Sequence, residues 1–188
     1  RDNDLVYEPS QILVSSGAKN SLYNCFMAIL DEDDEVIVPS PYWVSYPQQV
    51  KLAGGRPVYV DTREENGFRI TPEELKAAIS FSTKAIIINN PSNPTGCTYS
   101  QDRLKELAAV ARKFRLVLLS DEIYGQLHHR GEHVSIARFY PEGTIVSSGL
   151  SKWCGAGGWL LGTFYFPPYL DWLLLFNDAA TTEIYTGV

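Results

Sequence analysis

Residues 85–96 read Ala85-Ile86-Ile87-Ile88-Asn89-Asn90-Pro91-Ser92-Asn93-Pro94-Thr95-Gly96. Four apolar residues run together with no alternation, then give way at once to a polar loop. A strand with one solvated face alternates, whereas an unbroken Ala-Ile-Ile-Ile run reads as a strand buried on both faces. Such strands belong to parallel sheets covered by helices on either side, so this stretch decides the fold class. The loop after it is stiffened by two prolines, and Asn93 offers both a donor and an acceptor.

The pattern repeats outward. Leu116-Val117-Leu118-Leu119 is a second buried run. Between the two, Leu104, Leu107, Ala108, Ala111 and Phe114 recur at helical spacing and predict an amphipathic helix. Upstream, Thr71-Pro72-Glu73-Glu74 carries a helix start, with Thr as N-cap, Pro in the first turn and Glu three residues after the cap. Leu22, Cys25, Phe26, Ile29 and Leu30 line another helix. Short apolar runs at 12–14, 36–38, 57–60, 144–146 and 163–166 bring the expected strands to seven. Strands alternating with amphipathic helices predict a three-layer α/β/α sandwich around a mostly parallel seven-stranded sheet. Residues 1–188 read as one domain, with no repeat, linker or low-complexity stretch.

Polar residues follow the strand ends: Ser15-Ser16-Gly17, Asn89 to Gly96, Ser120-Asp121-Glu122, and Ser147-Ser148 with Lys152. Ligands of open α/β sheets sit outside the carboxyl ends of the strands, so these segments are expected to converge on one site. Lys152 stands in a turn of small residues (Gly149, Ser151, Gly155, Gly157, Gly158), where a backbone can approach a bulky ligand. A lysine in a partly desolvated pocket loses its proton more easily and can form a Schiff base. Asp121 ends an apolar strand, a costly place for a carboxylate without a partner, and a cationic ring nitrogen would be one. Tyr124 lies three residues later. Ser15-Ser16-Gly17-Ala18-Lys19 joins a strand to a helix, whose free amides suit a phosphate. Tyr42 and Trp43 are aromatics that could stack on a planar ring.

Other classes are disfavoured. Of 188 residues 45% are hydrophobic and 20% charged, the formal charge is −6 and the pI near 5.1, which argues against a nucleic-acid or anionic-membrane surface. The acidic run 31–35 meets Val36-Ile37-Val38 and reads as a solvated turn. No apolar run reaches transmembrane length. Three widely spaced cysteines (Cys25, Cys97, Cys154) suit free thiols and a cytoplasmic setting. A dinucleotide glycine motif after Gly155 and Gly157 would need glycine where Leu160 stands, and no P-loop occurs. His128, His129 and His133 cluster without a nearby cysteine, so no metal site is expected.

Taken in order, SSGAK, PYW, NNPSNPTG, SDEIY and GLSKWCGAGGWLLG resemble the class I/II aminotransferases, fold-type I enzymes that use pyridoxal phosphate. The resemblance implies that Lys152 forms the internal aldimine and serves as general base and acid. It implies that Asp121 pairs with the pyridine nitrogen, and that Tyr124 and Asn93 hydrogen-bond the ring's phenolic oxygen. Trp43 would stack on the ring, and Gly17 and Ala18, with Ser151, would hold the phosphate. It implies transfer of an amino group between an amino acid and a 2-oxo acid in a homodimer, with the apolar segment Tyr169 to Phe176 as a packing surface. It also implies that the chain is the large-domain portion of a longer protein with a further amino-terminal segment and a carboxyl-terminal small domain. One departure stands out: the family usually reads G-W-R-x-G, its arginine gripping the phosphate, whereas this chain has Gly158-Trp159-Leu160-Leu161-Gly162. Gly149 likewise stands where some members use a phosphate-binding serine, leaving Ser148 or Ser151 to compensate. Two alternatives remain open: a non-catalytic relative serving as a structural or interaction subunit, and a pyridoxal-phosphate lyase on the same scaffold.

Overall fold

The computed structural model describes residues 3–129 and 131–170. The packing surface expected over Tyr169 to Phe176 falls largely outside them.

The apolar runs become one seven-stranded sheet, ordered β1-β7-β6-β5-β4-β2-β3. The strands are β1 (Ile12–Ser16), β2 (Glu35–Ser40), β3 (Arg56–Asp61), β4 (Thr83–Asn89), β5 (Val117–Asp121), β6 (Thr144–Gly149) and β7 (Leu161–Tyr165). Pairing is parallel from β3 through β6, and only β7 runs against both its neighbours, β1 and β6. Because β7 is antiparallel to both, β1 points the same way as the parallel strands. Their carboxyl ends therefore lie along one edge of the sheet.

The helices are α1 (Ala18–Ile29), α2 (Ser45–Leu52), α3 (Pro72–Ala78) and α4 (Gln101–Phe114). Side chains alternate across the pleat. Ala85 and Ile87 of β4 join Leu119 and Val38 in a core under Leu22, Cys25 and Phe26 of α1 and Tyr46 and Val50 of α2. Ile86 and Ile88 join Ile37 and Leu118 in a second core under Leu75 of α3 and Leu104, Leu107, Ala108 and Ala111 of α4. The three layers follow from this two-faced burial.

Local signals behave as the sequence implies. Thr71 caps α3: its hydroxyl accepts from Glu74 N at 3.1 Å, the Glu74 carboxylate accepts from Thr71 N at 2.8 Å, and Pro72 occupies the first turn. One expectation fails. Phe114 leaves the buried stripe of α4 and is 44% exposed. It is the last helical residue, and the chain turns left-handed at Arg115 (φ 55°), carrying the helix end off the sheet. The prolines at 41 and 47 also conceal α2, which begins only after Trp43. Among the described residues no helix is long and apolar enough to cross a membrane.

Candidate active site

The common edge of the sheet opens into a cleft of about 850 Å³. It is lined by Gly17 and Ala18 after β1, Trp43 after β2, Asn93 after β4, Asp121 and Tyr124 at the end of β5, and Ser151 and Lys152 after β6. These eight positions thus face one space, of the size that ordinary small-molecule sites occupy.

Asp121, the last residue of β5, is only 4% exposed. Its Oδ2 accepts a hydrogen bond from Tyr46 Oη at 2.6 Å, and its Oδ1 accepts from Ile123 N at 3.2 Å. Burial raises its pKa above the ordinary carboxylate value, against the lowering effect of those two donors. Tyr46 is buried in turn, and desolvation together with the Asp121 charge holds its phenol protonated well above the usual range. The result is a desolvated carboxylate at the cleft floor, suited to a cationic partner.

Asn89 joins the flanking loop to this strand. Its Nδ2 donates to Asp121 O at 2.9 Å, and its Oδ1 accepts from Asn93 N at 2.7 Å. Asn93 is thereby tied to the end of β5. Residues 122–125 form a tight turn, closed by Gly125 N donating to Glu122 O at 2.8 Å, which carries Tyr124 to the cleft wall. Lys152 Nζ lies 5.9 Å from the centre of the Tyr124 ring. The lysine's own turn is fastened back onto β6: Trp153 Nε1 donates to Gly149 O at 3.1 Å, and Cys154 Sγ to Leu150 O at 2.9 Å.

At the other end of the cleft, Gly17 is the N-cap of α1, with φ 87°. Glycine is the residue that takes this left-handed backbone without strain. Gly162 of β7 lies directly beneath: a Cβ there would meet Ala18 N at 2.3 Å and Gly17 C at 2.4 Å. The start of α1 thus rests on bare backbone. Leu160 also lines the cleft, 60% exposed and itself left-handed at φ 49°. It places an apolar side chain where an arginine was looked for.

Several expectations are redrawn. Tyr42 stacks on Tyr59 (centroids 5.4 Å apart, 21° between planes) and does not line the cleft, whereas Trp43 does. Trp43 packs edge-on against Tyr46 at 5.3 Å, and Lys19 Nζ lies 4.9 Å from its ring centre. Ser151 faces the cleft, but Ser148 faces a separate pocket beside Glu122 and His133. Of the histidines, His133 has its Nε2 2.7 Å from Glu122 Oε2, within hydrogen-bond distance. Among the described residues no group of three or more metal-ligating side chains is placed to hold an ion. Sequence reasoning missed Tyr46 and Gln49, and gave Asn89 no role beyond its place at the start of the loop. The one available signal for Tyr46 was its position three residues after Trp43, one helical turn on.

Comparison with known proteins agrees with this geometry. The family model for aminotransferase class I and II matches residues 1–181. An aspartate aminotransferase of Bacillus subtilis is 53% identical over 166 residues, covering 86% of this chain and 42% of its own length. The aspartate/prephenate aminotransferase of Thermus thermophilus is 46% identical over 162 residues. Among solved structures, the Thermus thermophilus aspartate aminotransferase with maleate superposes with a TM-score of 0.93 at 42% identity, covering 97% of this chain and 48% of that one. The chain spans somewhat less than half the length of these relatives.

Proposed function

The chain belongs to the class I and II aminotransferase family, and we propose that it forms the cofactor-binding part of a pyridoxal-phosphate enzyme that moves an amino group from an amino acid to a 2-oxo acid. The observation that carries this reading is convergence. Gly17, Ala18, Trp43, Asn93, Asp121, Tyr124, Ser151 and Lys152 come from five separate segments and line one cleft.

The residues present fit the cofactor. When bound, pyridoxal phosphate supplies an aldehyde that condenses with an amine, losing water, and a protonated ring that draws off the electron pair left by a departing Cα proton. Lys152 Nζ is the amine that anchors it. Asp121 holds the ring nitrogen protonated, because a buried carboxylate gains more from a cation than from solvent it cannot reach. Tyr46 keeps that carboxylate aimed, and its hydrogen bond favours the ionised form against the effect of burial. Trp43 covers a ring face, and Tyr124 and Asn93 supply hydrogen bonds at its edge. The amides at the start of α1, with Ser151, face the phosphate. As a free amine, Lys152 Nζ would take up and return the proton at the substrate's Cα.

The relatives named aspartate aminotransferases make aspartate the donor of choice to test. The reading includes a homodimer: in the segment between β6 and β7, Trp153, Trp159 and Leu160 are 46%, 75% and 60% exposed, large apolar side chains that a second copy would cover. Three unpaired cysteines support a cytoplasmic setting.

The test is to titrate the purified protein with pyridoxal phosphate, reduce with borohydride, map the modified residue, and assay aspartate against a panel of 2-oxo acids. The expected result is a visible band, the label on Lys152, and transfer abolished in Lys152→Ala. A folded protein that shows no band, or carries the label elsewhere, overturns the proposal.

A further inference from the structure

We infer that Glu122 and His133, which lie behind the sheet and outside the cleft, are positioning residues that hold Tyr124 against the cofactor. This rests on the reading above, that the cleft takes pyridoxal phosphate.

Tyr124 needs such a hold. It lies in the tight turn 122–125, and among the described residues its hydroxyl has no hydrogen-bond partner. The Lys152 ammonium, 5.9 Å from the ring centre, is a weak restraint at that distance. The backbone of the turn therefore sets where the ring points. At its start the turn is tied to the sheet, with Glu122 N donating to Ser147 O at 2.8 Å. From the far face, His133 grips both ends. Its Nε2 lies 2.7 Å from Glu122 Oε2. Its ring also lies against Gly125, where a Cβ would stand 3.2 Å from Cδ2 and 3.3 Å from Nε2. One imidazole thus brackets Ile123 and Tyr124, the two residues between.

The bracket has a firm base. The side chains of Glu122 and His133 are 3% and 8% exposed. Ser120 Oγ and Ser135 Oγ donate to Glu122 Oε1 at 2.8 Å and 2.5 Å. The segment that carries His133 is anchored in turn: Asn90 Nδ2 donates to Val134 O at 3.3 Å, and Ser135 is fully buried. A buried polar network rigidifies what it joins, because hydrogen bonds fix direction as well as distance. Packing alone does not call for one here, since replacing a buried charged pair by apolar side chains of similar volume is often neutral for stability. What Glu122 and His133 add is direction, and the residue they direct lines the cleft.

A double-mutant cycle tests this, with cofactor affinity read by titrating the visible band with pyridoxal phosphate. The proteins compared are the wild type, His133→Ala, Tyr124→Phe and the double variant. His133→Ala is expected to weaken binding about two- to tenfold, the worth of one ordinary hydrogen bond, and to add nothing once Tyr124→Phe has removed the hydroxyl. His133→Gln keeps a side-chain donor for Glu122 and restores the affinity. Leu75→Ala, a core truncation on α3, lowers the thermal midpoint without weakening the cofactor. Equal weakening by His133→Ala in both backgrounds, or in neither, overturns the inference and leaves the cofactor reading intact. A second measurement needs no cofactor and covers a His133→Ala that does not fold, with Glu122→Gln in its place. The ring-carbon NMR line of Tyr124, identified by its loss in Tyr124→Phe, is expected to move in the folded His133 or Glu122 variant and to stay in Leu75→Ala. An unmoved line overturns the inference. A wild type without a visible band overturns the cofactor reading, and the NMR line then decides the placement of Tyr124.

Discussion

Tyr46 Oη donates to Asp121 Oδ2 across 2.6 Å, joining the first turn of α2 to the last residue of β5. Both side chains are nearly inaccessible, at 2% and 4% exposure. The phenol therefore gives a desolvated carboxylate one of its two hydrogen bonds. Tyr46→Phe keeps the ring and removes the donor. It is expected to cost about 1.5–3 kcal/mol of stability, the range for a hydrogen bond to a charged group, and to move the Asp121 pKa still higher. Urea unfolding and carboxyl-carbon NMR titration read the two effects, and an unchanged midpoint with an unchanged pKa contradicts them.

Asp121 itself predicts a pH dependence. Burial raises its pKa in the folded protein, so the fold holds this proton to higher pH than the unfolded chain does. The contribution of the group to stability is therefore fully favourable below the ordinary carboxylate pKa of about 3.9, and is lost as pH rises through the raised value. Asp121→Asn keeps an oxygen for Tyr46 and removes the charge. The unliganded variant is expected to be the more stable of the two at neutral pH, with the difference shrinking toward about pH 4, while losing the means to hold a ring nitrogen protonated. Denaturation midpoints across that range decide the matter.

Gly162 has no room for a side chain. A Cβ would lie 2.3 Å from Ala18 N, and the obstacle is backbone on a capped helix start. Gly162→Ala is expected to destabilise by about 1–3 kcal/mol through overpacking, and to weaken cofactor binding by pushing the α1 amides out of place. Thermal melting with cofactor titration separates the two. Wild-type affinity in this variant would mean that the helix start has no part in holding the phosphate.

On the far side of β5, Glu122 is buried with three partners: Ser120 Oγ at 2.8 Å and Ser135 Oγ at 2.5 Å donate to Oε1, and His133 Nε2 lies 2.7 Å from Oε2. Glu122→Ala strands all three and is expected to cost about 3 kcal/mol or more, since each buried polar group left unpaired costs about 1–3 kcal/mol. Glu122→Gln costs less. His133 can change tautomer, accept from the new amide through Nε2, and turn its otherwise unpartnered Nδ1 into a donor. The order of the two unfolding midpoints is the check.

Much of this molecule is legible along the chain. The unbroken Ala85 to Ile88 run identifies a strand covered on both faces, because side-chain direction alternates and neither face tolerates a polar residue. The Thr71 cap is legible because its hydrogen bonds close within four residues. The positions lining the cleft are legible because strand ends are marked by an abrupt change from apolar to polar, as at Asn89 and Asp121.

Tertiary structure alone decided the rest. The insertion of β7 antiparallel between β1 and β6 depends on which edges meet, and no local period encodes that. Tyr46 lies 75 residues from Asp121 in sequence, on a helix obscured by neighbouring prolines. The exposure of Phe114 depends on where α4 leaves the sheet, not on its spacing from Ala111. Gly162 beneath Ala18, and Lys19 over Trp43, are contacts between segments that only folding brings together. Local sequence sets the type and buried face of an element through interactions a few residues long. Partners at a site are chosen by packing and electrostatics between distant segments, and those exist only once the sheet has assembled.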